Sequence, residues 1–201
     1  ANINSNIEGL GQVLDVAPDD VVLGILPLFH SFGFTGALWL PLISGAGVVY
    51  HHNPLDFKAI GELAEAHRVT ILTATPTFLM GFIRRCTPDQ FAALRYVMVG
   101  AEKLKERIAS AFEKRFGIEP LEGYGCTELS PVVSLNVPDV RRGQIRQTGR
   151  KRGTIGHPLP GVAVKIVDPD TFEPLGPDQD GLLLVKGPNV MRGYLHDDVR
   201  T

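Results

Sequence analysis

Cysteine is almost missing from these 201 residues: Cys86 and Cys126 are the only two, with no CxxC pair and no Cys/His ligand spacing. A disulfide framework and a thiolate metal site are thereby excluded, and a reducing, cytoplasmic setting is the expectation. Strong charge is missing too. Twenty Lys and Arg against 22 Asp and Glu leave a formal net charge of -2, which argues against a nucleic-acid-binding protein or a polybasic membrane binder. No repeat is visible along the chain.

No Asp, Glu, Lys or Arg occurs anywhere from Val21 to Tyr50. A membrane span is not the expectation, because Pro27 and Pro41 interrupt the run and Gly24, Gly33, Gly36, Gly45 and Gly47 lower its helical propensity. Buried strand, loop, core helix and buried strand fit better, as in a parallel sheet covered on both faces. A hydrophobic fraction of 44% supplies the core for it.

What is present alternates strand and helix, the pattern of an α/β fold. Strands are expected at 21–26, 46–50, 69–73, 96–99 and 120–124. Helices are expected at 34–43, from Asp56 as N-cap, from Pro76, and over 103–116 with Gly117 as the stop. The expected organisation is an α/β subdomain over 1–138, a basic loop over 139–152, and a small β-barrel-like subdomain over 153–201. Arg141, Arg142, Arg146, Arg150, Lys151 and Arg152 make the loop basic; it reads either as a solvated segment or as a docking patch for an acidic partner.

Three strand ends carry residues suited to a ligand. Gly123-Tyr124-Gly125-Cys126-Thr127-Glu128 combines a ring that can stack, glycines that admit close backbone approach, a hydroxyl donor and a carboxylate that suits Mg²⁺. The bland alternative is a tight turn with Tyr124 as packing. Val99-Gly100-Ala101-Glu102 offers small residues before a helix, whose N-terminus favours an anion, or it is a plain turn. His30, inside Leu26–Gly33, reads as a group orienting a substrate carboxylate or as a core histidine. Thr73, Thr75 and Thr77 supply hydroxyls at a further strand end, or simply cap the next helix. Ligands of open α/β sheets bind at the carboxyl ends of strands, so these segments point to one crevice.

Taken in order, the segments resemble the adenylate-forming superfamily of acyl-CoA and acyl-carrier-protein synthetases, aryl ligases, luciferases and peptide-synthetase adenylation domains. LPLFHSFG (26–33), VGAE (99–102), GYGCTE (123–128), GTIGHPLPG (153–161) and GLLLVKGPNVMRGY (181–194) match its motifs in family order and cover essentially the whole chain. The resemblance implies that a carboxylate attacks ATP to give an acyl-adenylate, which a thiol of CoA or of acyl-carrier-protein phosphopantetheine then takes up. It implies that Tyr124 stacks on adenine, with Gly123 and Gly125 beside it. Gly100 and Ala101 would border base and acyl group, and Glu102 would flank the base through its backbone. Thr127 would contact the phosphate that becomes AMP, Glu128 would hold Mg²⁺, and His30 would line the carboxylate pocket. LFHSFG stands where amino-acid-activating domains carry FDxS, so that branch is not expected; the glycine before Tyr124 and SPVVSLNVP (130–138) resemble fatty acyl synthetases, with Phe29, Phe32, Phe34 and Val99 expected to line an apolar pocket. The resemblance also places the lysine-bearing ATP loop before residue 1, and the ribose-binding aspartate and lysine-bearing lid after residue 201. The chain alone is therefore expected to be an inactive central piece of a ligase. A non-catalytic nucleotide- or acyl-binding module of the same ancestry is the alternative.

Overall fold

Short apolar runs separated by helix-length segments can bury both faces only as a parallel sheet with helices above and below, and that is the architecture found. The computed structural model describes residues 1–201. Strands β1 (Val21–Gly24), β2 (Gly47–Tyr50), β3 (Ile71–Ala74), β4 (Tyr96–Val99) and β5 (Leu121–Gly125) are parallel. Beyond β5 the sheet turns antiparallel through β6 (Val132–Leu135), with its edge pairing at His157–Pro158, giving the spatial order β2-β1-β3-β4-β5-β6 followed by that edge.

Alternate strand residues enter different cores. Leu23, Leu72, Val97 and Val99 meet helices α4 (Phe57–Ala66), α5 (Pro76–Arg85) and α6 (Glu106–Phe116) on one face. Val22, Ile71, Tyr96 and Met98 meet α1 (Asn2–Val13) and α3 (Leu40–Ser44) on the other, with α2 (Ser31–Gly33) leading into the latter. The chain first moves from β1 to β2 on one side and then crosses back to β3, β4 and β5. This reversal beside β1 opens a crevice at the strands' carboxyl ends.

Local signals explain most boundaries. Asp56 accepts from the Ala59 N–H, Thr75 caps the helix that Pro76 opens, and Gly117 ends α6 at φ +75°. The last expected helix starts later than residue 103 because the Leu104 N–H donates to Glu122 Oε1 instead (2.8 Å).

The expected helix over 34–43 differs more. Helical structure runs from Ser31 to Ser44, but Phe34–Trp39 is π-helical, the Leu40 N–H reaching Thr35 O. Pro41 accounts for part of this, since it has no N–H to offer the Ala37 carbonyl. Tyr50 Oη supplies that donor from β2 (2.7 Å). The first residues form α1, which buries Ile7 and Leu10.

The basic segment is more ordered than a solvated loop. Val140–Arg142 (β7) and Ile145–Gln147 (β8) form an exposed hairpin. Arg152 is bound to Glu106, Glu113 and Glu119, and Arg150 to Glu119 (2.9 Å), so Arg152 clamps the segment onto α6 and Arg150 holds it to the turn that follows. His157–Pro158 (β9) belongs to the main sheet and Leu159 to its core, while β10 (Ala163–Val167) and β11 (Leu182–Lys186) make a separate antiparallel ribbon. No helix is long and apolar enough to cross a membrane.

Candidate active site at the carboxyl ends of the strands

After β1 the chain turns sharply through Pro27–His30 into α2. Gly33 permits the turn: a Cβ there would lie 2.8 Å from the Leu26 carbonyl oxygen and 2.9 Å from the Pro27 carbonyl carbon. His30 caps the helix, its Nδ1 accepting from the Phe32 N–H (3.2 Å). That bond leaves Nε2 as the ring position for the proton in the neutral form.

After β4, Gly100 is buried and Ala101 adopts φ +68°. This left-handed conformation is costly for a residue with a Cβ, and such outliers gather at functional sites. Glu102 turns away, its carboxylate accepting from the Thr77 hydroxyl (2.9 Å).

After β5, a bulge at Tyr124 and Gly125 breaks the register with β6, which re-aims side chains at a sheet edge. Tyr124 is 40% exposed and borders a cavity among these loops. Thr127 opens a short 3₁₀ turn, and its hydroxyl shares a hydrogen bond of 3.2 Å with Ser31. Two loops from distant parts of the sequence are thus joined at their hydroxyls.

Glu128 is held from outside the sheet. Tyr194 Oη donates to its Oε1 (2.6 Å), and the Met191 N–H donates to its carbonyl oxygen (2.8 Å). The Tyr194 hydrogen bond holds the Glu128 carboxyl below the usual carboxylate range and pushes the Tyr194 phenol up. Burial, together with Glu128, raises the Cys126 thiol, so Cys126 is a poor nucleophile.

These loops enclose one cavity of about 300 Å³, whose wall includes His30, Gly100, Ala101, Gly123, Tyr124, Gly125, Thr127 and Glu128. Of the nine residues given nucleotide, carboxylate or metal roles from sequence, Glu102 alone lies outside the wall. Phe32 and Val99 line the cavity, but Phe29 is 94% exposed and Phe34 packs edge-on against Trp39 (6.0 Å). The four-residue apolar pocket expected from sequence is therefore corrected to two of its members, joined by Leu10, Leu40, Met98 and Leu135. Sequence reasoning also missed Ser31 and Tyr194 as partners of Thr127 and Glu128. GPNVMRGY was visible as a motif, but nothing local tied its tyrosine to residue 128.

The matches to known proteins agree with this geometry. The family model described as "AMP-binding enzyme" covers residues 1–195. The chain belongs to the AMP-binding enzyme family. Among curated members, it is 30% identical to 4-coumarate–CoA ligase 3 of Oryza sativa subsp. japonica over 203 residues, covering 100% of the chain and 36% of that protein. ATP-bound MatB from Rhodopseudomonas palustris superposes with a TM-score of 0.86 at 29% identity, covering 99% of this chain and 38% of that one. O-succinylbenzoate coenzyme A synthetase from Bacillus subtilis, in complex with ATP and magnesium ion, gives 0.81 at 25% identity, with coverage of 97% and 38%. The chain thus spans little more than a third of the length of these family members.

Glu128 is the one carboxylate in the cavity wall, and no cluster of three His, Cys, Asp or Glu side chains exists anywhere in the chain. The residues of this chain do not by themselves make an all-protein metal cage. The donor set fits Mg²⁺ in its usual enzymatic setting, where one or two carboxylates bind it together with substrate phosphates. A stacking ring, backbone close to the pocket and paired hydroxyls fit the nucleotide that would bring those phosphates.

Proposed function

We propose that the full-length protein carrying this chain is an acid–thiol ligase. It joins a carboxylate to the α-phosphate of ATP with release of pyrophosphate, then passes the acyl group from AMP to the thiol of CoA or of a carrier protein's phosphopantetheine. The convergence of the β1, β4 and β5 ends on one cavity, with Tyr124, Thr127 and Glu128 in its wall, carries the reading.

Tyr124 stacks on the adenine, flanked by the backbone of Gly123 and Gly125, while Gly100 and Ala101 form the facing edge where base and acyl group meet. Glu102 contributes backbone at the rim. Thr127, braced by Ser31, donates to the phosphate that becomes AMP. His30 presents Nε2 toward the carboxylate as it approaches phosphorus, a placement that lowers the entropic cost of the encounter. Glu128, ionised and oriented by Tyr194, holds Mg²⁺, which when bound neutralises phosphoryl charge as it shifts.

The acid in this proposal is a medium or long fatty acid, whose apolar body would lie along Phe32, Leu40, Val99, Met98 and Leu135 in the cavity wall. Acid-dependent ATP–pyrophosphate exchange by the full-length protein tests the reaction. Absence of exchange across a panel from hexanoate to palmitate and from benzoate to cinnamate would favour a non-catalytic binding module, and best turnover with acetate or benzoate would remove the fatty acid.

The acceptor site is proposed at the β7–β8 hairpin. Arg141, Arg142 and Arg146 are exposed there without a carboxylate partner, unlike Arg150 and Arg152. Such a group suits the phosphates of CoA or the acidic face of a carrier protein. Changing all three to Gln is expected to raise the Michaelis constant for the thiol roughly tenfold at low salt, less at high salt, with pyrophosphate exchange unaltered. An unchanged constant would leave the hairpin as a solvated element.

A further inference from the structure

The loop that carries Thr127 and Glu128 is closed by its own backbone. The Leu129 N–H donates to the Cys126 carbonyl (3.0 Å), the Ser130 N–H to Thr127 (3.2 Å) and the Cys126 N–H to Pro131 (3.0 Å). Two carbonyls of the loop are taken from outside, by the segment that also supplies Tyr194. The Met191 N–H donates to Glu128, and Asn189 Nδ2 donates to Leu129 (2.9 Å).

Asn189 holds this place against a penalty. It is 1% exposed, and its Oδ1 is buried without a partner, which is unfavourable. Leucine matches its size and would carry no such penalty. A reversed amide would recover nothing, because Oδ1 would then oppose the Leu129 carbonyl. The donation to Leu129 is the one hydrogen bond the side chain makes, so the reason for an amide here lies in what Leu129 adjoins.

Asn189 is itself bracketed. Asn2, the first residue of α1, donates from Nδ2 to the carbonyls on either side of it, Pro188 (2.8 Å) and Val190 (2.7 Å). One helical turn on, Asn6 donates to the Val132 carbonyl (2.6 Å) and accepts from the Val132 N–H (3.3 Å), where β6 begins just after Pro131. Residues four apart share a helix face. A single polar edge of α1 therefore grips the catalytic loop at its far end and, through residues 188–190, at Leu129. The helix is anchored for this by Ile7 and Leu10 in the core.

We propose that Asn189 is a positioning residue for Thr127 and Glu128, and that Asn2 on α1 orders it. Neither asparagine lines the cavity, so both act on the nucleotide only through the loop. This deepens the ligase reading and rests on it, since the loop matters as the wall that meets phosphate and Mg²⁺. Groups that meet charge in a reaction work best when fixed beforehand, and the asparagines fix the loop before any ligand arrives.

The test uses the full-length protein. Titration calorimetry with MgATP reads the nucleotide site without turnover, and acid-dependent ATP–pyrophosphate exchange reads kcat and the Michaelis constant for the acid. Asn189→Leu is expected to weaken MgATP binding and lower kcat about tenfold each, the scale of one hydrogen bond, with the Michaelis constant for the acid unchanged. Thr70→Val controls for plain loss of stability. The Thr70 hydroxyl donates to Asp20 (2.6 Å) and accepts from the Val21 N–H (2.9 Å) at the amino ends of β1 and β3, away from the cavity. This control should lower the denaturant midpoint and leave both readouts alone. An Asn189→Leu protein that melts earlier yet binds MgATP within about twofold of the unaltered protein overturns the proposal, because the amide would then serve stability only. Asn2→Ala removes the bracket at a half-buried position and should weaken MgATP about threefold, a fraction of one hydrogen bond. Unchanged MgATP affinity in Asn2→Ala overturns the relay from α1, and that variant decides the matter if Asn189→Leu fails to fold. An unaltered protein that binds no MgATP defeats the ligase reading itself, a separate outcome from binding that ignores both asparagines.

Discussion

Glu128→Gln is expected to lower acid-dependent ATP–pyrophosphate exchange of the full-length protein by about 10²–10³-fold, the usual cost of losing one electrostatic partner of the transition state. The substitution keeps shape and leaves an oxygen to accept from Tyr194 Oη, so the contact between residues 128 and 194 survives. What is lost is the negative charge, and no second carboxylate in the cavity wall can replace it. A hard divalent cation then meets only a neutral amide oxygen and the phosphates. The defect should shrink only partly as Mg²⁺ is raised, because the charge also orients the phosphates. Exchange within threefold of the unaltered protein at saturating Mg²⁺ would remove Glu128 from the site.

Tyr194→Phe separates orientation from charge. Its hydrogen bond is the main cause of the lowered Glu128 carboxyl, so the variant's carboxyl returns toward its ordinary value. A depressed carboxyl contributes its interaction above the unfolded-state value and loses it as pH falls through the folded-state value. The acidic limb of the pH–activity profile should therefore move to higher pH in Tyr194→Phe, while activity near neutral pH, where the carboxyl is ionised in both proteins, falls far less than in Glu128→Gln. A limb that stays in place would mean that Tyr194 does not act through Glu128.

The pairing of Glu128 with Tyr194 also marks where sequence reading ends. Features with a local cause were legible: β4 at Tyr96–Val99, the caps at Asp56 and Thr75, the stop at Gly117 and the order of strand-end motifs that placed the site. Each is dictated within a few residues by propensity, capping or alternation. Partners set by tertiary contact were not. The π-helical stretch has one root in Pro41, but its stability depends on Tyr50 reaching Ala37 from another strand. Helix α1 has few apolar residues and gains its place from the sheet face it covers, with Asn6 donating to the Val132 carbonyl (2.6 Å). The expected pocket lining failed at Phe29 and Phe34 for a related reason: aromatic residues beside a motif need not share its orientation, and the turn before α2 sends Phe29 into solvent.

Gly125→Ala is expected to damage both stability and activity, and Gly117→Ala provides the contrast. A Cβ on Gly125 would collide with the Pro131 carbonyl oxygen, lie 2.7 Å from the Pro131 carbonyl carbon and 3.1 Å from Val132 Cα. All three are backbone, and the Pro131 oxygen is fixed by the Cys126 N–H (3.0 Å). Relief requires β5 to move off β6 at the bulge from which Tyr124 and Thr127 project. Overpacking of this kind costs about 1–3 kcal/mol, and a shift near 1 Å in positioning groups can cost about 10²-fold in rate. At Gly117 the reverse holds: nothing lies within 4 Å of a built Cβ, and only the φ of +75° is unfavourable, at about 1–2 kcal/mol. Denaturant melts of the full-length proteins should thus show comparable losses for the two alanines, whereas exchange should collapse only in Gly125→Ala. Equal exchange rates in both would show that the bulge does not position the nucleotide wall, because torsional strain at the end of α6 and steric strain beneath Tyr124 would then reach the site alike.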